Sequence, residues 1–463
     1  LNGLRCPGLV VWYFPLPLNE GLFEMAIISP FRSVHYNGSC AGQLDRLIAP
    51  PYDVISPEEQ ESLYQLHDLN IIRLVLGKEF PDDGETDNRY TRAGSTLREW
   101  MTNGVLTSSD RPAVVVYQLE FDIPDGGRRT LDGIIVLVKV EEYGKGRVLP
   151  HEKTYVGPRF EQLNLLRATH AHLTPIHALF NDRSNVVMGA YGPVMQRPPD
   201  QEAVEGRTVH RTWALYDEEA ISKIESLLAK KSLFLADGHH RYETSLAFRN
   251  EMRAKGSSVS KNGYEYVMMY LTSTSHPGLT ILPAHRLVGG LDEDVIDGIV
   301  EKLAPYFDFE DCGFTCCSNP AAAQEMIKRI SPYSTVVGNF GMILGGEGGC
   351  KILRLKSFEG VDPIIDPSVP GPLRELDVTI LRDVVVSHGL GMDRDIPEGH
   401  IEYTPSVAKA MEKVNSGEIQ IAFILNPTRV EQVQVAAELG HKLPHKSTYF
   451  YPKLASGLAL NVF

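Results

Sequence analysis

The 463-residue sequence has few cysteines and no cysteine framework. Cys6, Cys40, Cys312, Cys316, Cys317 and Cys350 form no C-x-x-C pair and no zinc-ligand spacing. Free thiols in a reducing compartment are the simplest reading, which places the chain in the cytoplasm. No apolar run is long enough to span a bilayer, so no membrane partner is expected. Positive charge is also short: 45 Lys and Arg stand against 59 Asp and Glu, a formal net charge of −14. That argues against a nucleic-acid binder, which usually carries a basic face, but leaves room for a local basic pocket around a small anion. There is no internal repeat. The one glycine-rich run, Gly345 to Gly349, lacks the Lys and Ser/Thr of a phosphate-binding P-loop.

What is present is ordinary for a globular protein, with 43% hydrophobic and 22% charged residues. The length implies two or three domains. Residues 1–24 hold the apolar run GLVVWYFPLPL, with two prolines and no clear cleavage site after it. They read as an extension, because Met25 opens a stretch that looks like a natural start.

The chain is organised around Lys231 to Phe248, KSLFLADGHHRYETSLAF. Ser232 to Ala236 reads as a buried strand and Asp237-Gly238 as a turn. Tyr242, Leu246 and Ala247 then fall at helical spacing, with Glu243 early in the helix. His239, His240 and Arg241 thus stand at a helix start. Free backbone N–H groups and the helix dipole favour an anion there. Gly238 allows close approach of a ligand, and Arg241 adds a planar donor fork suited to phosphate.

Around this centre the pattern is mixed α/β. Ser56 caps a helix that has Pro57 at its first position, Glu59 at its third and its end near Leu66. Asp53, just before it, is either a turn-stabilising residue or a ligand-facing carboxylate. A helix around Ser95 to Met101 and strands Ala113–Phe121 and Gly133–Glu141 complete a first region, with a turn at Asp125-Gly126-Gly127. Next comes Val148-Leu149-Pro150-His151-Glu152-Lys153-Thr154. Glu152 is either an exposed partner of Lys153 or a general base. His170-Ala171-His172 and His177 are candidate metal ligands only if they share a strand face. Asp182 to Arg207 reads as loops, and Glu218 to Lys231 as an amphipathic helix. Tyr264–Leu271 and Ile419–Leu425 read as strands, Asp292–Leu303 and Leu376–Ser387 as helices. His285 and Arg286, at the end of the run Leu279 to Arg286, are candidates to reach an anion. In the tail, Leu443 to Lys453, the lysines and hydroxyls either face phosphate or guard an edge strand. The expected units are 1–24, 25–145, 146–290 and 291–463.

Two resemblances follow from these stretches. PFRSVHYN, APPYDVISPEE, LPHEKT, LADGHHRYETSLAF, LTILPAHRL and HKSTYFYPKLASGL, in that order, identify the chain from Met25 onward as similar to domain-of-unknown-function family ten-fifteen. The order LPHE, TPI, D, LADGHHRY also resembles the free serine kinases of the ParB/sulfiredoxin superfamily. That second resemblance implies a central strand–turn–helix core that binds nucleotide phosphates through Asp237, Gly238, His239, His240 and Arg241. It implies catalytic positions at His151 and Glu152, with Glu152 activating a hydroxyl. ATP or ADP would be the nucleotide, with Mg²⁺ held on its phosphates and touching Asp237 or Glu152. No metal site made by the protein alone is assigned, and the oligomeric state stays open. The chain departs from the small kinases in its flanking regions and in the extra length from Asp182 to Lys231, which leaves the acceptor open. The expected function is a nucleotide-dependent kinase for a small hydroxyl metabolite, free L-serine first. The alternatives are a metal-dependent hydrolase or phosphatase, motivated by the histidines, and a ParB-like nucleotide-binding regulatory protein.

Overall fold

The computed structural model describes residues 25–41, 43–124, 127–152, 154, 156–256, 263–313, 320–331, 337–394, 401–444 and 446–463. The expected N-terminal extension, the turn at Asp125-Gly126, Lys153, His445 and the thiols of Cys6, Cys316 and Cys317 lie outside the described residues. The chain is mixed α/β, as its pattern predicts, and is built on two sheets.

The larger sheet has nine strands: β1 (Ile28–Ser29), β2 (Val114–Asp122), β3 (Arg128–Lys139), β4 (Val148–Leu149), β5 (Ile176–Phe180), β6 (Gln201–Glu205), β7 (Thr208–Leu215), β8 (Leu233–Asp237) and β9 (Tyr266–Ser273). Their order is β4-β8-β5-β9-β3-β2-β7-β6, with β1 added to β3. Period-two alternation sends the residues of β2 to opposite faces. Val114 and Val116 pack with Ile134 and Val136 under helices, where Ile224, Leu228 and Tyr242 meet them. Val115, Tyr117, Leu119 and Phe121 face the other way and are covered by Leu454, Ala455, Leu458 and Ala459 from the chain's last residues. The C-terminal tail is therefore part of the core of a sheet made almost wholly from the first 273 residues.

This changes the expected division of the chain. Strands from 25–145 and from 146–290 interleave in one sheet, so no sheet boundary falls at 145/146. A second sheet of six strands is built from residues 285–424, from His285–Val288 to Ile421–Ile424. Each of its faces has its own apolar layer. Asp182 to Arg207, expected as loops, contains a helix (Val186–Tyr191), a 3-10 turn (Gly192–Gln196) and β6. β6 is an edge strand, and only Ala203 on it is buried, so charge hides its alternation. Asp377–Ile380 begins a helix as expected, but Leu381–Gly389 continues it as a π-helix. Val384, Val385 and Val386 are all buried there, so this segment is enclosed on more than one side.

Several helices fall where capping chemistry puts them. α1 (Pro57–Leu66) starts with the Ser56 side chain accepting from the Glu59 N–H. α2 (Arg89–Thr102) carries a capping box between Asn88 and Thr91 and runs longer than expected in both directions. It packs on α3 (Val156–Thr169) through Gly94, where an added Cβ would stand 2.3 Å from the Ala168 carbonyl oxygen. Gly94→Ala should therefore force the two helices apart and destabilise the fold by about 1–3 kcal/mol. A urea midpoint equal to that of the wild type would contradict this packing.

Candidate functional site

β4 and β8 run side by side and parallel, with Val148 opposite Leu233 and Leu149 opposite Phe234. Two parallel strands deliver their carboxyl ends to the same edge of the sheet, a usual place for a site in α/β proteins. Here β4 ends at Pro150-His151-Glu152 and β8 ends at Asp237-Gly238. The helix α4 (Glu218–Leu228) leads into β8, and after the turn α5 (His239–Ala254) starts at once, with Gly238 as its N-cap at φ +89°. Gly238 has no side chain to cap that start, whose first N–H groups point out of the helix end. The strand–turn–helix read from the sequence is present, and the two motifs meet. The His151 N–H donates to His239 Nε2 at 3.4 Å, and the rings stand 4.8 Å apart, edge to face.

The turn is held by charge. Asp237 pairs with Arg241 at 2.7 Å and with the Lys453 ammonium. Burial alone would raise the Asp237 carboxyl, but the Lys453 and Arg241 charges hold it well below the usual carboxylate range. Arg241 also donates to the carbonyls of Pro175, at 2.7 Å, and Thr174, at 3.3 Å. The fork expected to reach outward thus folds back over the turn. An added Cβ on Gly238 would lie 3.0 Å from its Nη2, so glycine serves both the positive φ and this close approach.

His151 is completely buried. Its Nδ1 contacts the Leu235 carbonyl oxygen at 2.7 Å and its Nε2 contacts Thr448 Oγ1 at 3.0 Å. A carbonyl only accepts, so Nδ1 carries the proton and Nε2 accepts from the threonine. With both nitrogens engaged, His151 supports the strand end and does not reach solvent. Glu152 is half-buried and accepts from the Lys446 backbone N–H at 2.9 Å. It also forms a parallel bridge with Leu443. His240 is half-buried at the helix start. Asp53 is exposed at the rim, and its charge is felt by Lys453 and Tyr52. Glu243 binds Thr154 Oγ1 at 2.6 Å and Arg159 at 3.1 Å, tying the start of α3 to α5. Behind Arg241 a cavity of about 50 Å³, lined in part by Tyr52, Gln162, His172 and Thr244, has room for a few waters only.

Sequence reasoning placed Glu152 and Asp237 to Arg241 in one site, and the structure brings them together. It left the tail undecided between phosphate contact and edge protection. Thr448, Lys446 and Lys453 all belong to the site, and Tyr449–Tyr451 pairs with Thr280–Leu282 as a short two-stranded sheet. The density of lysines and hydroxyls in HKSTYFYPK was the signal for it. The remaining histidines do not converge. His172 contacts Asn461, His177 contacts Thr272, and His170 stacks on Phe463. Among the described residues no group of three His, Cys, Asp or Glu is placed to hold a metal ion. His285 accepts from the Leu425 N–H, and Arg286 is buried near Tyr403, so neither reaches this site. Among the described residues no helix is long and apolar enough to cross a membrane.

Burial pushes His172 and His239 down to about 3 and His177 to about 4. These rings are uncharged in the fold but charge freely once unfolded, below about pH 6.5. Their folded pKa values are depressed, so their contribution is complete above about pH 6.5 and is lost as pH falls toward 4. Stability should drop by roughly 1.4 kcal/mol per pH unit for each such ring across that window. Urea unfolding at a series of pH values measures the slope, and a flat profile between pH 6 and 4.5 would be inconsistent with neutral buried rings.

No curated protein matches the sequence. Among solved structures, a free serine kinase in complex with AMP aligns at 12% identity over 67% of this chain and 88% of that one, with a TM-score of 0.32. A conserved hypothetical protein from Pyrococcus furiosus aligns at 12% identity over 66% and 90%, TM-score 0.31. SbnI with a C-terminal truncation, from Staphylococcus aureus, aligns at 10% identity over 71% and 82%, TM-score 0.31. The family model described as a protein of unknown function, DUF1015, matches residues 28–379, a span that holds the whole large sheet, the P-H-E strand end and the D-G-H-H-R turn. The chain that builds this site belongs to the DUF1015 family.

Proposed function

We propose that the protein is a nucleotide-dependent kinase that phosphorylates a small hydroxyl metabolite, free L-serine first. The observation that carries the reading is the meeting of β4 and β8. It sets a half-buried carboxylate, Glu152, next to the uncapped N-terminus of a 16-residue helix. Phosphoryl transfer needs those two things above all: fixed donors for phosphate oxygens and an oriented nucleophile. The motif resemblance of LPHE and LADGHHRY to the free serine kinases supports the same assignment.

In this reading the nucleotide phosphates lie on the N–H groups after Gly238, where no Cβ blocks them. The turn keeps its shape because Arg241 and Lys453 clamp Asp237. Glu152 takes the proton of the acceptor hydroxyl. The oxygen's electron pair then forms the new O–P bond, and the bond from phosphorus to the bridging oxygen breaks with its pair left on the departing nucleotide. Glu152 suits the part because the Lys446 N–H fixes the position of its carboxylate. His151 acts beneath it, holding the strand end. ATP and ADP both fit the donor set. Mg²⁺ would arrive on the phosphates and neutralise their charge; Asp237 is already neutralised by two cations, which leaves Glu152 and Asp53 as the nearby carboxylates. The hydrolase reading finds less support, since the histidines that motivated it are taken up by separate contacts.

Glu152→Gln keeps shape and most hydrogen bonding but removes basicity. It should lower turnover roughly 10²–10⁴-fold and leave nucleotide affinity nearly unchanged. Phosphorus NMR with nucleotide and a panel of small alcohols reads the product, and calorimetry reads the affinity. Wild-type turnover in the variant would remove Glu152 as the base. Absence of any phosphorylated alcohol with the wild type would remove the kinase assignment.

A further inference from the structure

Among the described residues three Arg and Lys side chains serve the site, Arg241, Lys453 and Lys446, and they are not equally available. Arg241 is spent on Asp237 and two backbone carbonyls. Lys453 is spent on Asp237 and lies 4.9 Å above the Tyr449 ring. Lys446 differs. Its ammonium makes no hydrogen bond or ion pair among the described residues, and the side chain is half-exposed. Yet its charge reaches Asp237 and helps to hold that carboxyl down. An ammonium without a hydrogen bond or ion pair among the described residues is therefore carried on the residue whose backbone touches Glu152.

Its backbone is unusual as well. Lys446 sits at φ +53°, in the left-handed region that a side-chain-bearing residue enters only at a steric cost. In that conformation its N–H points at Glu152 Oε1, 2.9 Å away. One residue thus orients the carboxylate through its backbone and offers a charge through its side chain. Strain of this kind persists where the surrounding structure holds it, commonly at functional sites. The holders here are the Glu152–Leu443 bridge on one side and the His151–Thr448 contact on the other.

We propose that Lys446, delivered by the C-terminal tail, is the cation that takes the terminal phosphate of a nucleoside diphosphate or triphosphate in this site. This rests on the nucleotide reading above and reassigns the charge that the sequence pattern gave to Arg241. A lysine suits the role as a mobile point charge with three donors, able to follow a phosphate as it moves. Asp237 does not compete for it, since two closer cations already neutralise that carboxylate. A carboxylate on the acceptor would also attract an ammonium, so the test is made without acceptor.

Calorimetric titration of the full chain with ADP and with AMP separates the cases. Lys446→Met keeps the backbone N–H to Glu152 and removes only the charge. It should weaken ADP about tenfold or more and leave AMP, which lacks the outer phosphate, nearly unchanged. Lys446→Arg should restore most of the ADP affinity, which also shows that the position tolerates substitution. If Lys446→Met binds ADP as well as the wild type, or loses ADP and AMP equally, the assignment to Lys446 is wrong while the nucleotide site stands. If the wild type binds neither nucleotide, the underlying kinase reading fails instead.

Discussion

The site depends on one buried carboxylate held between two cations. Asp237 ends β8, Arg241 lies one helical turn further on, and Lys453 comes from the far end of the chain. Removing any one member leaves charge without compensation in a place largely closed to water. Such a loss costs more than the intact cluster contributes. The arrangement therefore specifies geometry more than it adds stability. It sets the path of the turn after Asp237 and so the direction in which the first N–H groups of α5 point. It also ties the path of the tail to the turn, because Lys453 pairs with Asp237.

From that clamp the rest of the tail follows. Residues 454–460 lie across one face of the large sheet, and Ser456 and Leu460 exchange backbone hydrogen bonds with Ala49 and Val34. Asn461–Val462 pairs with Ala171–His172. The tail is thus stitched to three parts of the first half of the chain, while Leu443 and Lys446 meet Glu152 and Thr448 meets His151. The second sheet, between these two halves, contributes its exit strand and its position. Its own core is separate, so it acts as the body from which the tail is delivered.

How far the sequence showed this depended on the range of each interaction. Local chemistry was legible. Ser56 with Pro57 and Glu59 announced a helix start, and D-G-H-H-R between an apolar run and a helical pattern announced the turn. Motif order placed Glu152 beside that turn, although no local signal distinguishes a base from a solvated glutamate. Arg241 was misdirected in the sequence reading, because the carbonyls of Thr174 and Pro175 that capture it are more than sixty residues away. β6 was missed because an edge strand carries charge where a central strand carries valine. The π-helix at Leu381–Gly389 shares its apolar pattern with an α-helix over so short a span. Lys446 and Lys453 were visible as residues but had no partner until the fold supplied one.

The contacts that complete the site join residues very far apart in sequence: 216 for Asp237 with Lys453, 294 for Glu152 with Lys446, and 297 for His151 with Thr448. Closing loops of that size is entropically expensive and slow compared with forming α5 or a hairpin. During synthesis the large sheet emerges long before its covering segment, with the apolar face of Val115, Tyr117, Leu119 and Phe121 waiting for Leu454 to Ala459. A newly made chain therefore carries its helix start and its carboxylate for some time before the tail arrives to orient them. The arrangement around Asp237 and Glu152 is complete only once Lys446, Thr448 and Lys453 have docked.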